Sequence, residues 1–237
     1  MSRPRDIDWQ LVDYSAVGDN AGALESQFAV GNGYLGVRGA PDEGAPAHDP
    51  GVVLNGFHET WPIVYPEDAY GLARTGQTLV EPPDGSVVRL VVDDEPFELS
   101  TARILSFERV LDMRSGVLMR EVELETAGGR RLLVRSRRLA SLDDRHLVAI
   151  DYEVVALDGP VRVRLCSELV TRPPRHGAED PRRGKGFAEK VLVPRGATAR
   201  DGRAVLGLAT RSSGLELACG IDHAVGCDGD VAVRATA

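Results

Sequence analysis

The 237 residues are 43% hydrophobic and carry a formal net charge of −8, enough chain for a sizeable core and too acidic overall to attract nucleic acid or an anionic membrane. Three cysteines, Cys166, Cys219 and Cys227, are odd in number and lack C-x-x-C spacing, which argues for reduced thiols and against a disulfide framework. Met1–Asp8 leads into no signal-peptide core and no apolar run approaches the roughly 18 residues of a membrane span, so no membrane partner and residence in the cytoplasm are the expectation.

Taken in chain order, the first motif is Gly31-Asn-Gly-Tyr-Leu-Gly36, which matches the dinucleotide fingerprint only in form. That fingerprint needs a helix opening inside it, and Val37-Arg-Gly-Ala-Pro-Asp-Glu-Gly44 cannot propagate one through its glycines and proline. A strand with glycines where backbone or ligand approaches closely is the better reading, with Tyr34 and Leu35 as packing residues. Residues 40–79, rich in Pro and Gly and holding Phe57, Trp61, Tyr65 and Tyr70, read as a long connection. Strands are expected at Val87–Val92, Leu118–Thr126, Arg131–Arg135, Leu147–Val154, Val161–Leu165, Val205–Thr210, Leu215–Ile221 and Val231–Arg234, each a short period-two segment between turn residues. Ala127-Gly128-Gly129 and Leu157-Asp-Gly-Pro160 are the hairpin turns. The arginines at 130, 131, 135, 137 and 138 read as the wet face of a strand, and residues 171–203 as a second long connection. No window holds a helical apolar period for three turns. The expected fold is therefore all-β, a large antiparallel two-sheet sandwich spanning residues 1–237 as one domain.

Two places could meet a ligand. Arg38, set between glycines, could pair with a buried carboxylate such as Glu25 or Glu43, or reach a hydroxyl-rich ligand. Asn55-Gly-Phe-His-Glu-Thr-Trp-Pro62 gathers amide, imidazole, carboxylate and indole, the groups that stack on and hydrogen-bond to sugars; packing of the loop with Trp61 as anchor is the competing reading. An acid/base pair of the aldose-epimerase kind could in principle use His58 with Glu59, or His146 or His176 with a distant glutamate, but neighbours on a strand face opposite ways. The scattered histidines have no metal-ligand spacing.

The run Glu25-Ser-Gln-Phe-Ala-Val-Gly-Asn-Gly-Tyr-Leu-Gly-Val-Arg-Gly39 resembles the amino-terminal signature of glycoside hydrolase family 65, the maltose, trehalose and kojibiose phosphorylases and acid trehalases. Leu79–Asp84, Val92–Phe97, Glu108–Glu121 and Val134–Leu142 are similar to that family in the same order. The resemblance implies a galactose-mutarotase-like supersandwich that precedes an (α/α)6 catalytic barrel, expected after residue 237. It also implies an inverting reaction on an α-linked glucosyl disaccharide, with inorganic phosphate as co-substrate, no cofactor, and a single carboxylic acid as proton donor on the barrel. By that resemblance this chain holds no catalytic residue. It would support the barrel and a homodimer, and residues 25–39 and 55–61 would edge a sugar pocket through Asn32, Tyr34, Arg38, His58, Glu59 and Trp61. A free-standing carbohydrate-binding module and an epimerase-like enzyme are the alternatives.

Overall fold

The computed structural model describes residues 7–16, 20–44, 46–48, 50–67, 69–99, 102–172 and 191–236. After a 3-10 turn at Ile7–Trp9, the elements in chain order are β1 (Gln10–Asp13), helix α1 (Ala21–Gln27), β2 (Val30–Gly31), β3 (Leu35–Val37), β4 (Val52–Leu54), β5 (His58–Pro62), β6 (Thr75–Leu79), β7 (Asp84–Val92), β8 (Glu95–Pro96), β9 (Arg103–Asp112), β10 (Val117–Glu125), β11 (Arg131–Ala140), β12 (Val148–Ala156), β13 (Val163–Val170), β14 (Leu192–Arg200), β15 (Arg203–Thr210) and β16 (Glu216–Ile221). The fold is all-β, as expected. It groups into two compact units, residues 1–53 with 86–168, and residues 54–85 with 169–237.

The first unit is built on a five-stranded sheet in the order β1-β9-β10-β11-β12, every pair antiparallel. Its hairpins follow from alternation plus turn chemistry. Leu124 and Val122 of β10 lie opposite Leu132 and Val134 of β11, and the turn between them closes with Gly129 in the left-handed region at φ 77°, where glycine has no steric penalty. On the wet face, Arg135 pairs with Glu121 and Glu153, Arg137 with Asp151, and Arg131 with Glu123. The dry face forms a two-layer sandwich: Leu90 and Val92 of β7, with Phe97, pack on Val122, Leu124, Leu132 and Val134. Burying each such side chain contributes about 1.5–3 kcal/mol. A second cluster, Phe28, Val30, Val37 and Val52 against Leu118, covers the other part of that face with α1, β2 and β3.

The second unit contains the β5–β6 hairpin, registered from His58↔Leu79 to Pro62↔Thr75, and the antiparallel meander β14-β15-β16. Asp201 and Gly202, both at positive φ (51° and 79°), make the tight turn that matches strand twist. Phe57, Trp61, Val80, Leu208 and Ala209 are among its buried side chains.

Several expectations need correction. Residues 40–79 are not one long connection, since β4, β5 and β6 lie inside them; prolines and glycines at the strand ends hid the pairing. Residues 192–200, part of the other supposed loop, form a strand whose proline sits at a register shift, the position a strand tolerates; residues 173–190 of that stretch, with His176, lie outside the described residues. Val231–Arg234 forms no strand. Helix α1, at two turns and with Gly22 inside it, is too short to show a helical period.

Candidate functional site

The glycine motif folds as the β2–β3 hairpin, with no helix opening inside it, so the phosphate-cradling geometry of a dinucleotide site is absent from it. Gly33 turns the tip at φ 85°. Asn32 fixes it: its Oδ1 accepts from the N–H groups of Tyr34 (3.0 Å) and Leu35 (2.8 Å), and its Nδ2 donates to the carbonyls of Ser141 (2.7 Å) and Arg145 (3.0 Å). The side chain therefore ties the hairpin to the turn between β11 and β12. Tyr34 meets that turn edge-on to His146, ring centroids 4.9 Å apart, with the Arg145 guanidinium 4.9 Å from its ring centre. His146 and Arg145 are exposed and precede β12. The tip thus presents an aromatic ring flanked by an imidazole and a cation on a rigid support, a surface able to stack on a sugar.

Arg38 does not pair with Glu25 or Glu43 in the described contacts. It donates to the carbonyls of Gly22 (3.1 Å) and Pro50 (3.0 Å) and to Ser26 Oγ (2.6 Å), stapling α1 to the segment before β4. Glu25 instead accepts the Ala47 N–H.

His58, Glu59 and Trp61 do not line one pocket. On β5 the burial alternates, so His58 faces away from Glu59 and Trp61. The His58 Nδ1 lies 3.0 Å from the Gly56 carbonyl. Trp61 packs over Gly76 and its Nε1 donates to Thr78 Oγ1 (3.2 Å), which is anchoring. Glu59, only 2% exposed, accepts the N–H groups of Thr60, Ser212 and Ser213 at 2.7–2.9 Å. Burial alone would raise its pKa, but the backbone donors of Ser212, Thr60 and Ser213 prevail and hold the carboxyl below its ordinary value.

What sequence reasoning missed is a polar row across the dry face of the five-stranded sheet. Asp13, Arg109, Arg120, Ser136 and Tyr152 stand directly opposite one another on β1, β9, β10, β11 and β12, with Arg138 one step away on β11. Asp42 and Glu43, from the segment after β3, close over the row. Arg120 makes a fork to Glu43 (2.7 and 2.5 Å), which also accepts from the Tyr152 hydroxyl (2.6 Å). Asp42 takes Ser136 Oγ at 2.7 Å and pairs with Arg138 and, at 3.0 Å, Arg120. Arg109 bonds Asp13 (2.7 Å) and the Gly39 carbonyl (3.0 Å). Burial opposes the Asp42 charge, yet the Arg138 and Arg120 cations and the Ser136 hydroxyl keep its pKa lowered. Burial also pushes the Tyr152 hydroxyl up, and Glu43 pushes it further. Three cations and three carboxylates balance here, so the arrangement locks the loop to the sheet and is unsuited to proton transfer. The readable signal was parity: Arg120 shares the dry face with Val122, and Arg138 with Val134, so Arg138 is not part of the wet run.

A family model described as glycosyl hydrolase family 65, N-terminal domain, matches residues 15–236. The chain is 40% identical over 215 residues to an uncharacterized glycosyl hydrolase of Mycobacterium leprae (strain TN), a match covering 90% of this chain and 27% of that protein. To an α,α-trehalose phosphorylase of Thermoanaerobacter brockii it is 33% identical over 226 residues, covering 93% of this chain and 29% of the relative. A solved structure of a candidate kojibiose phosphorylase from the human microbiome shares the fold, with TM-score 0.70 at 20% identity over 85% of this chain and 25% of that one. The chain thus spans under a third of the length of these curated relatives.

Proposed function

Because the chain belongs to the N-terminal domain family of glycosyl hydrolase family 65 over residues 15–236, we propose that it is the non-catalytic β-domain of a larger enzyme that cleaves an α-linked glucosyl disaccharide with inorganic phosphate. The alignment to 29% of a trehalose phosphorylase's length is the observation that carries this reading. The domain supports a catalytic barrel and a homodimer, and the Tyr34 tip forms part of the active-site rim. Phosphate attacks the anomeric carbon from the face opposite the scissile bond while one carboxylic acid protonates the leaving oxygen. Five carboxyl groups of this chain suit other work. Asp13, Asp42, Glu59, Asp112 and Asp222 are all shifted toward stronger acidity, the wrong direction for a general acid at neutral pH. Free Cys166, Cys219 and Cys227 accord with residence in the cytoplasm.

The test is to incubate the full-length protein, and separately the 237-residue chain, with phosphate and trehalose, maltose or kojibiose. Release of β-glucose 1-phosphate by the full-length protein alone is expected. Turnover by the shorter chain would overturn the non-catalytic reading, and hydrolysis without phosphate would overturn the phosphorolytic one. A free-standing carbohydrate-binding module is the second reading, favoured by the tip where half-buried Tyr34 meets exposed Arg145 and His146. Micromolar sugar binding by the chain alone, lost in Tyr34→Ala, would support it.

A further inference from the structure

Arg109, Arg120 and Arg138 aim their terminal nitrogens at carboxylate and carbonyl oxygens, but the Nε–H of each is buried and finds no acceptor among the described protein groups. Leaving such donors unmet is destabilising, the more so when they are charged. The same three side chains, with Asp42, Ser136 and Gly39, help line a cavity of about 30 Å³, above the ~10–15 Å³ that one water needs. Orphan donors and room for an acceptor coincide inside the polar row.

We propose that this cavity is a binding site for internal water, which accepts at least two of the three Nε–H donors and is a structural part of the row. Charge selects water over an anion. The guanidinium groups of Arg109, Arg120 and Arg138 are matched by Asp13, Asp42 and Glu43, so a chloride would leave a net buried negative charge, which a low-dielectric interior penalises. Water adds two acceptor sites and no charge. Asp42 and Gly39, which carry a carboxylate and a carbonyl that can accept the water's own O–H groups, belong to the same lining.

Crystals of the intact protein diffracting to about 1.6 Å would decide it. The expected result is a density peak in the cavity within hydrogen-bond distance, roughly 2.7–3.2 Å, of at least two of the three Nε atoms. An empty cavity, or Nε groups satisfied by protein oxygens, overturns the proposal. An anomalous peak at that point after bromide exchange also overturns it, in favour of a halide. In solution, oxygen-17 relaxation of the wild type should report a long-lived internal water that Ala40→Val, which adds two methyl groups at a residue of the cavity lining, removes. An unchanged signal in a folded Ala40→Val protein counts against the site, and the wild-type density decides should the variant not fold.

Discussion

Replacing Arg120 with Met keeps the volume of the side chain and removes only its charge and donors. Arg120 is 7% exposed; it holds Glu43 at 2.5 and 2.7 Å and lies 3.0 Å from Asp42. In Arg120→Met, Asp42 keeps Arg138 and Ser136, but Glu43 keeps only the Tyr152 hydroxyl among its described partners. A buried carboxylate stripped of its cation costs about 3–5 kcal/mol, a large part of the roughly 5–15 kcal/mol that stabilises a domain. At about 2–4 °C per kcal/mol for a chain of this size, the Tm should fall by about 6–20 °C in a thermal melt followed by circular dichroism. The double variant Arg120→Met with Glu43→Leu removes both charges and should recover most of that loss, because an apolar pair of similar volume replaces an ion pair at little cost. A double-mutant cycle then reads the coupling. A single variant costing under ~1 kcal/mol, or a double variant showing the full sum of the singles, would refute the claim that the row is a closed ion network.

Acid should weaken the fold. Asp42 and Glu59 have folded-state pKa values below their ordinary ones, so each contributes stability that is present above the unfolded value of about 4 and is lost as pH falls through the folded value. Urea midpoints measured from pH 7 to 2.5 should therefore drop below about pH 4, and a drop of the same size in Asp42→Asn and Glu59→Gln would contradict the assignment. Gly76→Ala places a Cβ 2.5–2.8 Å from the buried Trp61 ring, and the overpacking should cost about 1–3 kcal/mol with a change in tryptophan fluorescence; Gly226→Ala, which meets nothing within 4 Å, should be neutral. Asn32→Ala severs four hydrogen bonds and should cost about 1–3 kcal/mol, with faster hydrogen exchange at the Tyr34 and Leu35 amides.

Alternation along Leu118–Glu125 and Arg131–Arg135 announces the β10–β11 hairpin, because each strand has one wet and one dry face and the side chains must sort between them. The same logic foretells that His58 and Glu59 diverge. Composition misleads at Arg109, Arg120 and Arg138, since an arginine is placed in water unless its partner is known. Those partners lie far off in the chain: 77 residues separate Arg120 from Glu43 and 96 separate Arg138 from Asp42. No local pattern carries that pairing. The same limit hides the tie between Asn32 and Ser141, 109 residues apart, and with it the meeting of Tyr34 with His146. Strands β5 and β6 are short and bounded by prolines and glycines, so they lack the run of alternation that marks the longer ones.

Much of the run Glu25–Gly39, on which the family resemblance rests most heavily, holds neighbouring segments together. Glu25 holds the Ala47 N–H, Ser26 receives Arg38, and Phe28, 1% exposed, lies under the Arg109 guanidinium at 4.4 Å. The carbonyls of Arg38 and Gly39 accept from Arg138 and Arg109. Gly39 has no alternative, because a Cβ there would stand 2.6 Å from the Phe28 Cβ and 2.7 Å from the Phe28 carbonyl oxygen; a backbone neighbour cannot swing aside as a flexible side chain can. Gly39→Ala should therefore displace the segment that closes over the polar row, lowering Tm by several degrees and the yield of folded protein. A Gly39→Ala variant with wild-type stability in a thermal melt would refute that packing role.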